Sequence, residues 1–306
     1  MDNKTKQFQR LRQLFRGEIL LDEPMSKHTT FRIGGPADFT MYPRDLEDLC
    51  ALVDFCQKEG IERFVIGNGS NLLVSDSGFR GVVIDLSTTF TQLNSKHNTV
   101  SAGAGVVLTQ MLKFCTERGL AGYEALMGIP GQVGGCIRLN AGAYGAEIGD
   151  RLQSVRLLDG MGTLEKKQRH EIEMEYRYTD LPGDSIIVEA QFTFSEGNPM
   201  EMEMLQNNYL KQRRDKQPLS LPSAGSVFKR PPGDYAGRLI EDSGCKGMRI
   251  GDAMVSRKHA NFIVNCQMAS AEDVRRLISE VGERVLERFE IELELEIHLV
   301  GFESQD

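Results

Sequence analysis

The chain has 306 residues, 40% of them hydrophobic and 26% charged, with a formal net charge of -8. That length calls for two or three domains rather than one small core, and the composition is globular rather than disordered. The acidic balance argues against nucleic acid as a partner, because phosphates demand a basic face, yet a local basic cluster could still hold a small anionic ligand.

The N-terminus is charged and carries no apolar stretch resembling a signal sequence. Phe8, Leu11, Leu14 and Phe15 recur at helical spacing, which predicts an amphipathic helix over the first twenty residues. A second helix is expected over 44–58, where Leu46, Leu49, Leu52, Val53, Phe55 and Cys56 share a side and Gly60 ends it. Phe64-Val65-Ile66 reads as a short buried strand running straight into Gly67-Asn68-Gly69-Ser70-Asn71. Leu72-Leu73-Val74 and Val82-Val83-Ile84 read as two more strands, joined by a turn over 75–81. A strand at 99–102 precedes a helix over 108–118, closed by Gly119. Residues 122–149 are glycine-rich, poor in charge and without periodicity, and a loop-rich stretch of that length inside a compact domain is usually functional.

Strand patterns return from 155 to 194 and are most apolar at Ile186-Ile187-Val188. Gly197-Asn198-Pro199 marks a shift in composition and the expected domain boundary, and a polar, Met-rich helix follows over 200–214 with Lys211, Arg213, Arg214 and Lys216 near its end. A helix over 271–289 carries Val274, Leu277, Ile278, Val281, Val285 and Leu286 on one face. The chain closes on an alternating strand, with Ile291, Leu293, Leu295, Ile297 and Leu299 against Glu292, Glu294, Glu296 and His298. Helices and strands intermingle, so the class is α+β or α/β. No run approaches the roughly 18 apolar residues of a membrane span. The six cysteines are scattered, with no CxxC pair and no histidine partners, which predicts reduced core thiols, no metal site and a cytoplasmic location.

Glycine-rich turns after strands let backbone N–H groups approach phosphate oxygens. Gly67-Asn68-Gly69-Ser70-Asn71 is one candidate, and Gly128-Ile129-Pro130-Gly131-Gln132-Val133-Gly134-Gly135 is a second. Asn140-Ala141-Gly142-Ala143-Tyr144-Gly145 is a third, although each alone also reads as a tight turn. Gly103-Ala104-Gly105 sits between strand and helix as a Rossmann fingerprint would, but Leu108 stands where the third glycine belongs. No glycine precedes Lys-Ser or Lys-Thr as a P-loop requires, so a bound dinucleotide would need another architecture.

Together with Thr29-Thr30-Phe31-Arg32-Ile33-Gly34-Gly35, Tyr176-Arg177, Ser223-Ala224-Gly225-Ser226-Val227-Phe228-Lys229, His259-Ala260-Asn261-Phe262 and Leu293-Glu294-Leu295-Glu296-Ile297, these clusters resemble the UDP-N-acetylenolpyruvoylglucosamine reductase family. Order and spacing agree over residues 20–301. The resemblance implies an α+β protein with a vanillyl-alcohol-oxidase-type FAD-binding region over 1–197, in subdomains over 20–88 and 89–197, and a C-terminal α+β substrate-binding domain over 198–306. It implies noncovalent FAD held by Gly67, Asn68, Gly69, Ser70, Asn71 and Leu72, by Gly128, Ile129, Pro130, Gly131, Val133, Gly134 and Gly135, and by Asn140, Ala141 and Gly142. The implied activity is NADPH-dependent reduction of UDP-N-acetylenolpyruvoylglucosamine to UDP-N-acetylmuramate in peptidoglycan precursor synthesis, with hydride from flavin N5. A sugar nucleotide is then the partner, with no nucleic acid and no membrane, and the chain is expected to be a monomer.

Hydride addition to an enolpyruvyl ether leaves carbanion or enolate character beside a carboxylate, which calls for a cation, a proton donor and an acidic partner. The family pattern implies Ser226 as donor, Arg177 as cation and Glu296 as acidic partner. Without that pattern, Ser226 reads as a turn residue, Arg177 as a surface partner of Glu175 or Asp180, and Glu296 as the polar face of a strand that Glu294 shares. Lys216 matches the family lysine that meets the UDP diphosphate, and Lys229 either serves similarly or supports the Ser226 loop. Arg230 stands where the family commonly has asparagine, and His298 where it often has arginine; an arginine at 230 still suits a diphosphate. The short spacing from Asp180 to Ser226 excludes the tyrosine-bearing loop inserted in one branch, so the chain resembles the shorter branch. Two other readings stay open: an FAD enzyme that oxidises an alcohol or hydroxy acid with oxygen as acceptor, and a nucleotide-binding protein without redox chemistry.

Overall fold

Helices and mostly short strands alternate along residues 3–302, which the computed structural model describes. Met1 and Asp2, part of the expected first helix, lie outside the described residues. Helix α1 (Asn3–Leu14) is shorter than the expected twenty residues. The chain turns at Gly17, where a Cβ would lie 1.9 Å from the Tyr42 carbonyl oxygen, and continues as the strand Glu18–Pro24. Helix α2 (Leu46–Glu59) starts at Asp45, whose side chain accepts from Asp48 N, and ends at Gly60 in the left-handed region, as the pattern predicts. Helix α3 (Leu108–Glu117) buries Leu108, Met111, Leu112 and Cys115 at helical spacing.

By its contacts the chain divides into two compact units that interleave in sequence. The first comprises 1–21, 38–67 and 81–211, and the second 22–37, 68–80 and 212–306. In the first, a five-stranded antiparallel sheet takes its strands in the order Leu164–Gln168, Leu152–Leu158, Ile186–Thr193, Thr99–Gly103, Leu93–Lys96. Arg63–Ile66 pairs in parallel with the 82–85 part of another strand, Phe79–Asp85. Leu49, Leu52, Val82, Ile84, Val100, Leu112 and Phe192 belong to its core, and Tyr123 packs edge-on against Phe192 and Phe194. The glycine-rich stretch holds only the short helix α4 (Val133–Arg138) and a hairpin of Gly142–Ala143 with Ala146–Glu147. Helix α5 (Pro199–Lys216) is largely polar, and the first unit runs along it to Lys211.

The second unit holds α6 (Ala236–Asp242), α7 (Ala271–Phe289) and a three-stranded antiparallel sheet of Arg249–Ile250, Ala253–Val255 and Ile263–Asn265. Its own core includes Leu73, Val227, Leu239, Val255, Leu277 and Val281. The expected long terminal strand is corrected here. His298–Val300 alone pairs as a ladder, in parallel with Leu72–Val74, and residues 291–297 form no strand, only one isolated bridge from Leu295 to Phe228. Their backbone groups bond to the Ser226 segment instead of to a neighbouring strand, and the alternation breaks, leaving Ile297 3% exposed and Leu299 39%. Of the six thiols expected in the core, Cys56, Cys115, Cys136 and Cys245 are buried and Cys50 and Cys266 only half-buried, with burial pushing Cys56 up to about 11 and Cys115 and Cys136 up to about 12.

Segment 68–80 belongs to the second unit because it caps and pairs there. Asp76 accepts from Ala271 N (2.8 Å) and Glu272 N (3.1 Å) at the start of α7, beside the capping box of Ser270 and Asp273. Two first-turn donors and the positive helix end make this carboxylate a strong cap. Asp76→Ala should therefore lower unfolding free energy in urea by about 1–2 kcal/mol; an unchanged midpoint would show that the cap carries no stability.

Candidate active site

In the second unit the proton-donor candidate sits on an irregular segment outside any sheet, bent at Gly225 and Val227. Gly225 holds a φ of 79°, a left-handed conformation suited to glycine, and Ser226 beside it is half-buried. An antiparallel bridge pairs Ser226 with Phe262, and Val227 N donates to Asn261 O at 2.8 Å. The Asn261 side chain then acts as a strand edge would. Its Oδ1 accepts from Phe228 N (3.0 Å) and its Nδ2 donates to Phe228 O (2.8 Å). On the other side Glu296 N donates to Val227 O (2.8 Å) and Lys229 N to Glu294 O (2.8 Å). This brings Ser226 and Glu296 onto adjoining backbone segments.

The same bonds separate the two glutamates that the sequence left confusable. Glu294 is exposed and its carboxylate pairs with the Lys229 ammonium, whereas Glu296 is half-buried. Lys229 is thus engaged beside the Ser226 loop. Arg230 lies over the Tyr235 ring at 4.1 Å, and Lys216 is exposed at the last turn of α5. The Asn68–Leu72 part of the first glycine turn also lies in this unit. Gly69 has a φ of 58°, and a Cβ there would stand 2.0 Å from His28 O, so the residue is required on both counts.

The first unit holds the other candidates. A Cβ on Gly67 would meet Gln132 Oε1 at 2.9 Å, so the start of one glycine turn lies against the second. Val133 N and Gly134 N donate to Val106 O and Ala104 O (2.9 Å each), and a Cβ on Gly134 would meet that of Ala104 at 2.9 Å. Gly135 is different: it is exposed, and a Cβ there would meet nothing within 4 Å, so the space beside its Cα is open. That opening suits a cofactor diphosphate approached by backbone amides. The glycines of the rejected Rossmann-like triplet serve packing, since a Cβ on Gly103 would lie 1.8 Å from Phe90 O and one on Gly105 2.2 Å from Leu86 O.

Asn140 is buried, and its side chain is taken up inside the protein. Nδ2 donates to Glu147 Oε2 (2.6 Å) and Glu175 O (2.9 Å), while Oδ1 accepts from Gly149 N (3.1 Å). Ala141 N donates to Cys136 O, and Gly142 opens the hairpin whose turn, Tyr144-Gly145, is left-handed at both residues. The Tyr144 ring packs against Tyr209 at 4.8 Å. Arg177 occupies the second position of a two-residue turn between Glu175 and Tyr178, with a φ of 57°. Its Nη2 donates to Gly142 O at 3.3 Å, and its guanidinium lies 4.9 Å from the Tyr176 ring. Sequence reasoning assigned no role to Asn261 or Thr30, although both lie in motifs it singled out. The available signal was an amide between two apolar residues, Ala260 and Phe262, each of them buried. Among the described residues no cluster of His, Cys, Asp or Glu is arranged to hold a metal, and no helix is long and apolar enough to cross a membrane.

Residues 217–300 match the C-terminal domain family of UDP-N-acetylenolpyruvoylglucosamine reductase, and residues 37–167 match the FAD binding domain family. The chain is 42% identical over 286 residues to the UDP-N-acetylenolpyruvoylglucosamine reductase of Alkaliphilus oremlandii, covering 93% of this chain and 94% of that protein. It is 40% identical over 302 residues to that of Listeria welshimeri, covering 98% and 99%. The crystal structure of UDP-N-acetylenolpyruvylglucosamine reductase from Thermus caldophilus superposes with a TM-score of 0.79 at 35% identity, over 93% of this chain and 99% of that one.

Asn261 N also donates to His259 Nδ1 (3.3 Å), which requires that nitrogen to be unprotonated. Burial, assisted by Lys246 and opposed by Glu241, holds His259 below the ordinary histidine value. The unfolded chain then takes up the proton first, so this contribution to stability is full above about pH 6.5 and is lost as pH falls through the folded value. The thermal midpoint should drop between about pH 7 and pH 5, and His259→Phe should flatten part of that drop. An equal slope in the variant would assign the acid sensitivity to other groups.

Proposed function

The chain belongs to the UDP-N-acetylenolpyruvoylglucosamine reductase family, and from that membership we propose how its residues divide the work. It is an FAD-dependent oxidoreductase of the vanillyl-alcohol-oxidase fold type that reduces UDP-N-acetylenolpyruvoylglucosamine to UDP-N-acetylmuramate for peptidoglycan synthesis, with NADPH as reductant. Flavin binding falls to 1–197 and substrate binding to 198–306 on this reading, with 22–37 and 68–80 serving the second part from within the first. Noncovalent FAD would be held by the turns at 67–72 and 128–135 and by 140–142, where the open space beside Gly135 supports a diphosphate contact. FAD held there would supply the means to carry hydride from NADPH to the enolpyruvyl double bond.

This chain's residues manage the charge and proton that follow. Ser226 holds the proton that is delivered to the carbon beside the carboxylate, and the alkoxide it leaves needs nearby stabilisation. Arg177 offers a planar fork that matches the enolpyruvyl carboxylate as charge builds. Glu296 orients or polarises that carboxyl group. The observation that carries the reading is the Glu296 N to Val227 O bond at 2.8 Å, which sets Glu296 beside the Ser226 segment while Glu294 is engaged with Lys229. Lys216 and Arg230 meet the diphosphate, and Lys229 braces the loop. The enzyme works in the cytoplasm, as a monomer, on a sugar nucleotide and not on nucleic acid.

In Ser226→Ala, NADPH should still bleach the flavin, while reoxidation by the enolpyruvyl substrate should fall by at least about 10²-fold; equal loss of both half-reactions would remove the proton-donor role. Arg177 bears a left-handed conformation that costs a non-glycine residue about 1 kcal/mol. Arg177→Gly should therefore keep or raise the thermal midpoint while losing reoxidation by substrate; normal turnover in that variant would take Arg177 out of the site.

A further inference from the structure

Residues 68–72 of the first glycine turn lie in the same compact unit as the Ser226 segment, and the Thr30 and Asn71 side chains bond to Ser223 O and Glu296 O respectively. Thr30 N donates to Gly69 O at 3.1 Å, and Thr30 Oγ1 donates to Ser223 O at 2.7 Å, with Gly69 O a poorer acceptor at 3.4 Å. A hydroxyl has one proton, so the shorter bond is the one it makes. At the other end of the turn Asn71 Nδ2 donates to Glu296 O (2.8 Å), and Asn71 O accepts from His298 N (2.9 Å). Between these clamps a Cβ built on Gly225 would lie 3.9 Å from Ser70 O, an ordinary van der Waals approach. The turn is therefore fixed to the segment before Ser226 and to the backbone of Glu296.

Ser223 follows Pro222, whose carbonyl accepts from Asn265 N (2.9 Å), and precedes Val227, held by Asn261. The Thr30 hydroxyl grips the stretch between those anchors. We propose that Thr30 is a positioning residue that links the glycine turn to the proton donor: binding of the flavin diphosphate to the turn orders residues 223–226 through the Thr30–Ser223 bond. This rests on the flavin reading of the turn. An anion that engages consecutive backbone amides fixes their conformation, and a hydrogen bond from the adjoining residue carries that order into the serine loop. Cofactor loading then also sets the position of Ser226.

The test is hydrogen–deuterium exchange on the full-length protein with and without FAD, in wild type, Thr30→Val and Thr30→Ser. Valine keeps the shape and the backbone N–H but lacks the hydroxyl; serine keeps the hydroxyl. In wild type and Thr30→Ser, FAD should slow exchange in both 68–74 and 220–229, by roughly tenfold or more. In Thr30→Val the slowing should persist in 68–74 and disappear in 220–229. Reoxidation by substrate should fall about tenfold in Thr30→Val with flavin reduction by NADPH unchanged, and Thr30→Val should add nothing in a Ser226→Ala background. Equal protection of 220–229 in Thr30→Val, or full additivity with Ser226→Ala, overturns the coupling and leaves the enzyme assignment standing. Protection of neither segment in wild type removes the flavin reading of the turn and the coupling with it.

Discussion

A segment outside a sheet must find partners for its backbone groups elsewhere, and residues 223–229 do so at the expense of their neighbours' regularity. Asn261 supplies one donor and one acceptor from its side chain and one acceptor from its main chain, in place of a neighbouring strand. Residues 294–296 supply the other edge, which is why the terminal segment becomes a paired strand only at His298. Val227 and Phe228, buried in the core of the second unit, anchor the segment apolarly. The half-buried serine beside them is thereby held on an element with few alternatives. The proton-donor role proposed for Ser226 calls for such support, because small displacements at a reacting centre cost large factors in rate.

Backbone strain is distributed in the same spirit in the first unit. Asn140, Tyr144 and Arg177 all hold positive φ, and hydrogen bonds join their segments: Asn140 to the Glu175 carbonyl, and Arg177 to that of Gly142. Such conformations persist only when surrounding bonds over-determine them. The three bonds of the buried Asn140 amide do that here, so its side chain is a brace. Glycines divide similarly. Gly69 and Gly103 are required by protein atoms within about 2 Å of a Cβ, whereas Gly135 faces open space.

Local chemistry made much of this legible in the sequence. Helices α2, α3 and α7 follow from apolar spacing, and α2 also from its Gly60 stop. The glycine turns were visible because composition alone marks them. The Rossmann-like triplet was set aside because Leu108 breaks it, and its glycines prove to admit the 86–90 backbone. Long-range partnerships left no such trace. Thr30 and Ser223 lie 193 residues apart, and Asn71 and Glu296 225, so no local pattern announces either bond. The terminal alternation suggested one regular strand, because period two reports an extended chain and says nothing of what pairs with it. For the same reason the interleaving of 22–37 and 68–80 with the C-terminal part was hidden: the cap from Asp76 to α7 and the parallel pair at Leu72 are visible only in three dimensions.

One flavin site serves both NADPH and the enolpyruvyl sugar nucleotide in this protein. Anaerobic absorbance of the purified wild-type protein tests this most directly, first alone, then after NADPH, then after UDP-N-acetylenolpyruvoylglucosamine. The protein should be yellow, bleach with NADPH and regain its colour with the sugar nucleotide in the absence of oxygen. A colourless protein that FAD cannot reconstitute, or a reduced flavin that only oxygen can reoxidise, would contradict it.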